Sequence, residues 1–308
     1  MNKESIKGCF CVELCGSYPR LTRKTFLLYL VFIIICVMLL FSACSSTQVQ
    51  LSDKRSKGIE LNQKAVGAFK KGEYTKALNY FSGALNISRS LEDADSIGNN
   101  IINIAYVYYK MGDMEKAQGF VDQIINSIPF PYSPYYLIDA MTLKALIFCE
   151  SNRGEDASLW AEKALRLCEN ESCAVEGRIY NVMARISMLN KDNKTAMEFA
   201  RRGLELNKKT NNLTEISNSM RIMADIELID GNYDASLRFY QDAFLIDKGL
   251  ELSDKMIMDL VGIASALEKQ KKTGDAIIYY KRALSISQGT GNKDIQKSIS
   301  YSIDRIKE

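Results

Sequence analysis

The sequence predicts an all-α solenoid of about six helical hairpins followed by a capping helix. Two observations predict it. Small residues recur with one spacing: an alanine, a second small residue twelve positions later, and a third position seven after that. Apolar residues also fall at helical spacing on both sides of a break in each unit. The first positions are Ala65, Ala105, Ala145, Ala184, Ala224 and Ala264. The second are Ala77, Ala117, Ala157, Ala196, Ser236 and Ala276, and the third Ala84, Ile124, Ala164, Gly203, Ala243 and Ala283. A fixed period, here about 40 residues, marks stacked supersecondary units, none of which can bury its apolar face alone.

Each unit reads as two helices that approach closely at the small residues, with larger side chains filling the gaps between. Unit one breaks at Gly72 and resumes with Tyr74, Ala77, Phe81 and Ala84. Unit two carries Ile101, Ile104, Ala105 and Tyr108 on one stripe, breaks at Gly112, and continues with Ala117, Val121 and Ile124. Between units two and three lie Pro129, Pro131 and Pro134, in PFPYSPYY, which predict an extended, non-helical junction. Its aromatics, Phe130, Tyr132, Tyr135 and Tyr136, suit either a rigid corner or a knob for a partner. Unit three has Asn152 at the turn instead of glycine, and units four and six have Lys191 and Lys271. Unit five breaks at Gly231 and continues with Tyr233, Ser236, Tyr240 and Ala243. Ile295, Ile299, Ile303 and Ile306 then form a single stripe, which predicts the cap over residues 292–308.

The string GEYTKALNYFSGAL (Gly72 to Leu85) resembles the second half of a tetratricopeptide repeat, as do GDMEKAQGFVDQII and GNYDASLRFYQDAF. Pro129 matches the proline that often closes such a repeat. The resemblance covers Gly58 to Ser287 and implies a right-handed superhelical solenoid whose first helices line a concave groove. The usual period is 34; the extra residues fall where one pair hands over to the next, in stretches such as SRSLEDADS and LNKKTNNLTE. Longer helices with slightly longer loops are expected, similar to the extended repeats of bacterial peptide-sensing regulators and kinesin light chains.

The resemblance also implies which side chains face the groove. Asn62, Val66 and Phe69 do so in unit one; Ile102, Tyr106 and Tyr109 in unit two; Thr142, Leu146 and Cys149 in unit three. Asn181, Arg185 and Met188 follow in unit four, Arg221, Asp225 and Leu228 in unit five, and Val261, Ser265 and Glu268 in unit six. The groove is then aromatic at its N-terminal end (Phe69, Tyr106, Tyr109) and polar in units four and five. There Arg178 and Asn218, farther up their helices, join Asn181, Arg185 and Arg221. Arginines with asparagines suit a carboxylate and peptide backbone, and the aromatic end suits apolar side chains. The chaperone-type carboxylate clamp resembles a lysine and an asparagine where this chain has Asn181 and Arg185. The competing arrangement pairs Arg221 with Asp225 one turn later and leaves Arg178 or Arg185 solvated.

Before the repeats, Arg20, Arg23 and Lys24 precede an uncharged apolar run from Phe26 to Phe41, then Ser42, Ala43 and Cys44. That order describes a secretory leader. LLFSAC resembles a bacterial lipobox and implies that residues 1–43 are removed and that Cys44 carries lipid, including palmitate. An uncleaved membrane anchor is the alternative; both place the repeats outside the cytoplasm. Residues 44–57 read as a polar tether, and Ser45 after the cysteine favours the periplasmic face of the outer membrane by resemblance to known sorting signals. Cys9, Cys11 and Cys15 lack a fourth metal ligand. The leader holds five Lys or Arg against two Glu and so accounts for the whole net charge of +3. The remainder is formally neutral, and no nucleic-acid partner is expected.

In an oxidising compartment Cys168 and Cys173 either staple a helix-to-helix junction or remain buried thiols, and Cys149 has no evident mate. The chain contains no histidine, which removes the commonest general base and zinc ligand together. No phosphate loop, nucleophile elbow or metal spacing appears, so neither catalysis nor a cofactor is expected. The expected function is a lipid-anchored adaptor whose groove binds an envelope protein or extended peptide; the alternative is a module sensing a peptide or small ligand.

Overall fold

The computed structural model describes Leu30 and residues 32–35, 53–126, 132–169 and 173–307. The chain divides into two compact units, residues 1–50 and 51–308. In the first, Leu30 and residues 32–35 are helical. Cys9, Cys11, Cys15, Cys44, Pro129 and Phe130 lie outside the described residues. Among the described residues, no helix is long and apolar enough to cross a membrane.

Among the described residues the second unit consists of helices joined by short turns, packed in consecutive pairs. The pairs are α1 (Asp53–Lys70) with α2 (Tyr74–Ser90), α3 (Ala94–Lys110) with α4 (Met114–Ile125), and α5 (Pro134–Glu150) with α6 (Gly154–Glu169). They continue with α7 (Glu176–Leu189) and α8 (Asn193–Lys209), α9 (Leu213–Ile229) and α10 (Tyr233–Gly249), and α11 (Ser253–Lys269) and α12 (Thr273–Thr290). A final helix, α13 (Lys293–Lys307), packs on α12 and buries Ile299 and Ile303, leaving Tyr301 on its outer face. It covers the apolar surface that another repeat would otherwise occupy.

The small-residue ladder is the contact between paired helices. All six first-position alanines are completely buried, and so are their partners, Ser236 included. Ser236 tolerates burial because its hydroxyl donates to the Ala224 carbonyl at 2.9 Å. Gly203 marks the tightest approach: a Cβ there would stand 2.9 Å from the Gly177 carbonyl oxygen.

Within each pair the turn has three residues, for example Lys71–Glu73 and Asn190–Asp192. The residue before the second helix closes the turn onto a carbonyl five positions back, Glu73 N to Ala68 O at 2.9 Å and Asp192 N to Ser187 O at 2.9 Å. The middle residue is left-handed in all six turns: Gly72, Gly112 and Gly231, but equally Asn152, Lys191 and Lys271. The turn geometry is thus kept where glycine is missing.

The handovers differ from expectation. Leu91–Asp93, Thr210–Asn212 and Leu250–Leu252 are also three-residue turns, with Glu92, Asn211 and Glu251 left-handed. No loop is lengthened at these three places; the extra residues extend the helices, most of which run 17 residues. SRSLEDADS and LNKKTNNLTE are mostly helical because their polar side chains cap. Asp93 accepts from Ser96 N and Asn212 from Glu215 N, satisfying otherwise orphaned amides of α3 and α9. Residues 53–57, read from sequence as tether, open α1, with Asp53 in its first turn where the helix dipole favours a carboxylate. At the proline junction Pro134 takes the first turn of α5, which lacks an intrahelical amide partner in any case. Tyr132 and Tyr136 pack against Gly98 of α3, so they form a corner, and Tyr135 alone of that pair of adjacent tyrosines is exposed.

Candidate functional site

The first helices α1, α3, α5, α7, α9 and α11 line a concave groove that narrows to a cavity of about 280 Å³. Its apolar wall comes from the front of the chain: Phe69 on α1, Phe81 on α2, and Tyr106 and Tyr109 on α3, with Leu146 on α5. Its polar wall comes from Arg178, Asn181 and Arg185 on α7, Glu215 and Asn218 on α9, and Lys255 on α11. Lys110, at the end of α3, stands between the two.

The sequence-predicted residues Phe69, Tyr106, Tyr109, Asn181, Arg185 and Asn218 therefore share one cavity. Arg221 does not. It is 4% exposed and buried beneath the wall, where Nε donates to Asp259 Oδ1 at 2.7 Å and Nη2 pairs with Asp247. Nor does it pair with Asp225, which instead accepts from the Tyr240 hydroxyl. Arg221 faces inward because two buried carboxylates from the following repeat boundary stand behind it, and a charge leaves water only for such partners. From below, its Nη1 donates to Asn218 Oδ1 at 3.1 Å, so it positions a groove residue without reaching the groove.

Two further groups are committed to internal bonds. Asn181 is buried; its Nδ2 donates to the Glu215 backbone oxygen and to Oε2, at 3.1 and 3.0 Å, while its Oδ1 accepts from Ser219 at 2.7 Å. Asn218 donates to the same Glu215 Oε2 at 3.0 Å. Burial works against the Glu215 charge, but Arg178, Lys255 and these two amides together hold its carboxyl below the usual range. Arg178 lies 2.9 Å from Asp139 Oδ1 and donates to the Tyr106 hydroxyl at 3.0 Å, which donates in turn to Asp139 at 2.9 Å. The Arg178 Nε remains buried without an acceptor among the described residues.

What stays available is cationic. Arg185 is one-third exposed and meets Glu150 only at 3.5 Å. Lys255 Nζ donates to neutral oxygens, Asn218 Oδ1 at 2.9 Å and the Thr214 carbonyl at 3.3 Å. Lys110 makes no ion pair among the described residues and sits 5.8 Å from the Tyr109 ring centroid. Both lysines are pushed down to about 8. Enclosure by the walls is the main cause for each; Lys110 also feels Lys255, Arg185 and Arg221, and Lys255 feels Arg221 against the opposing pull of Glu215. Lys110 keeps much of its surface accessible, but that surface faces the groove interior. The cavity thus carries four cationic side chains and, among the described residues lining it, one carboxylate.

Sequence reasoning missed Lys110, Glu215 and Lys255. Glu215 and Lys255 lie nine residues before their ladder alanines, one turn beyond Arg178 and Asn218, which lie six before theirs. The lengthened helices carry the groove-facing stripe up by that additional turn, so a period extended two turns upward would have found them.

Away from the groove, Cys168 and Cys173 are joined in a disulfide with Cα atoms 5.2 Å apart, at the α6–α7 junction. Cys149 is a free, half-buried thiol whose pKa is raised by burial. Among the described residues no group of side chains is arranged to hold a metal ion.

Residues 260–290 match the tetratricopeptide repeat family, and this span contains Ala264, Ala276 and Ala283, the last rung of the ladder. The last hairpin carries a tetratricopeptide-repeat match, and the chain is an all-α helical-repeat solenoid. No curated protein is significantly similar to it in sequence. Among solved structures, a signal-transduction ATPase with numerous domains and a tetratricopeptide-repeat sensor, from Pyrococcus horikoshii, is 16% identical with a TM-score of 0.56. That match covers 77% of this chain but only 36% of the ATPase, so the solenoid corresponds to about a third of that protein. A Rap protein complexed with competence and sporulation factor is 13% identical over 82% of this chain and 75% of its own, with a TM-score of 0.57. NprR in complex with its cognate peptide NprX is 16% identical over 77% and 76%, with a TM-score of 0.50. At these identities the likeness of the solenoid to each is one of fold.

Proposed function

We propose that the solenoid is a non-catalytic adaptor that binds an extended, carboxylate-bearing peptide segment of a partner protein in its concave groove. The observation that carries this reading is the division of one cavity into an aromatic wall and a polar wall with three cationic side chains, with Lys110 standing between them. Aromatic faces take apolar side chains, and arginine and lysine take carboxylates, so the two walls match the two chemistries of an extended peptide. The Rap protein and NprR, which share the fold, were solved in complex with competence and sporulation factor and with a cognate peptide, respectively. In the same reading Cys44 is lipidated and holds the solenoid at the envelope, on the periplasmic face of the outer membrane, with residues 1–43 removed as a leader. The basic flank, apolar run and LLFSAC string support that placement.

The test is a crosslinked affinity pull-down from native membranes with wild type and a Lys110→Glu, Arg185→Glu double variant whose helicity is checked by circular dichroism. A stoichiometric protein captured by wild type and lost from the variant is expected. A partner held equally by both removes the groove from the reading, and no partner at all overturns the adaptor. Incorporation of labelled palmitate, abolished by Cys44→Ala, tests the anchor.

A further inference from the structure

The first and last repeats of the solenoid meet. The Tyr74 hydroxyl at the start of α2 donates a hydrogen bond to the Asp254 carboxylate in the first turn of α11. Beside it, a Cβ on Gly72 would lie 3.0 Å from Asp254 Oδ1 and 3.7 Å from the Thr290 side chain at the end of α12. The two ends of the solenoid thus touch at one point on the rim of the groove. Its cavity is walled by the first repeat, through Phe69 and Phe81, and by the last, through Lys255. At about 280 Å³ it falls just below the usual range for small-molecule sites, roughly 300–1,000 Å³.

We propose that this cavity is a site for a single carboxylate on an apolar body, and that the Tyr74–Asp254 contact is the latch that retains it. The inference rests on the groove being the binding site and narrows what enters it to a chain end or a free small acid. The carboxylate meets Lys110, Arg185 and Lys255: Arg185 pairs with Glu150 at 3.5 Å, and neither lysine makes an ion pair among the described residues. The apolar body lies against Phe69 and Tyr109. While that contact holds, the cavity admits a free end or a detached molecule, whereas the middle of a long segment enters only if the latch opens.

Such a ligand stabilises three crowded cations, so binding and protonation of the lysines favour each other. The groups facing Lys110 and Lys255 are Arg185, Arg221, Glu150, Glu215, Asp247 and Asp259. Both lysines lose charge above about pH 8, and carboxylate affinity falls there.

The experiment is isothermal titration calorimetry on the full-length chain in detergent, with 3-phenylpropionate and acetyl-Ala-Ala-Phe, each as acid and as amide. Each acid is expected to bind roughly ten-fold or more tightly than its amide, a preference abolished by Lys110→Met with Arg185→Met and reduced above about pH 8. The tighter scaffold tells whether the natural source is a free acid or a peptide C-terminus. Equal binding of acids and amides, or no binding at millimolar concentration, overturns the site. Tyr74→Phe and Asp254→Asn are expected to speed release several-fold in stopped-flow fluorescence while leaving the acid preference intact, and unchanged release overturns the latch. A cavity that binds acids in a chain that captures no partner would remove the adaptor and keep the site. Capture without acid binding would do the reverse.

Discussion

Arg221 on α9 and Asp259 on α11 are joined at 2.7 Å with neither side chain reaching solvent. Asp247 from α10 completes the group and also accepts from Ser217 at 2.7 Å. One guanidinium therefore serves two buried carboxylates, and it ties three successive helices together underneath the groove. Such a group depends on every member, because removing one leaves the others charged and unpaired in a medium that solvates them poorly.

Arg221→Met is accordingly expected to destabilise the solenoid by about 3–5 kcal/mol, measured as a shift in urea midpoint at neutral pH. Arg185→Met, on the exposed wall, is expected to change stability by less than about 1 kcal/mol. Equal effects of the two would contradict the burial of Arg221.

The same group makes stability depend on pH in a direction opposite to that of ordinary salt-bridged carboxylates. Burial pushes the Asp259 carboxyl up to about 7, against the opposing pull of Arg221, with Asp247 adding to the rise. Between about 4 and about 7 the folded chain then holds a proton that the unfolded chain has released, so this group's contribution falls as pH rises through that window. Asp259→Asn is expected to flatten the corresponding slope in urea midpoints collected from about pH 4 to about pH 7. An unaltered slope would show that Asp259 does not titrate there.

Lys191 and Lys271 hold left-handed conformations, φ of 60° and 62°, that glycine adopts freely. The left-handed conformation costs an L-residue about 1–2 kcal/mol, and glycine returns about 0.5–1 kcal/mol of that through its more flexible unfolded state. Lys191→Gly is expected to raise stability by about 0.5–1 kcal/mol, and Gly231→Lys to lower it by a similar amount, both read from thermal or urea unfolding.

Ala224 is fully buried and its carbonyl receives the Ser236 hydroxyl. Ala224→Leu has no space to enter and is expected to cost about 1–3 kcal/mol by overpacking. The same substitution at exposed Ala174 is expected to change stability by less than about 0.5 kcal/mol.

The hairpin contacts were legible because their signal is periodic and local: Ala65 to Ala283 kept one register, and the side chains it selects are the buried ones. The turn positions were legible too, although Asn152, Lys191 and Lys271 hid the glycine that usually marks them. The loop lengths were not, since the polar residues around Glu92 and Asn211 look alike whether they form loops or cap helices. In the groove, the positions implied by the repeat resemblance include Tyr106, Tyr109 and Arg185, which the structure places at the cavity. It could not tell Arg185 from Arg221, because what turns Arg221 inward is Asp247 and Asp259, 26 and 38 residues away on other helices. The proximity of Lys110 to Lys255 was hidden for the same reason: it arises only when the chain curves far enough for its ends to approach, although the extended groove stripe reaches the position of Lys255.

The meeting of Tyr74 with Asp254 has an evolutionary corollary. An open array of repeats lengthens or shortens by whole units without penalty beyond the interface gained or lost. Here a change in number costs the contact as well, because a unit added or removed between α2 and α11 would part Tyr74 from Asp254. Duplication and deletion, the ordinary means by which repeat proteins diversify, therefore carry an added penalty in this chain.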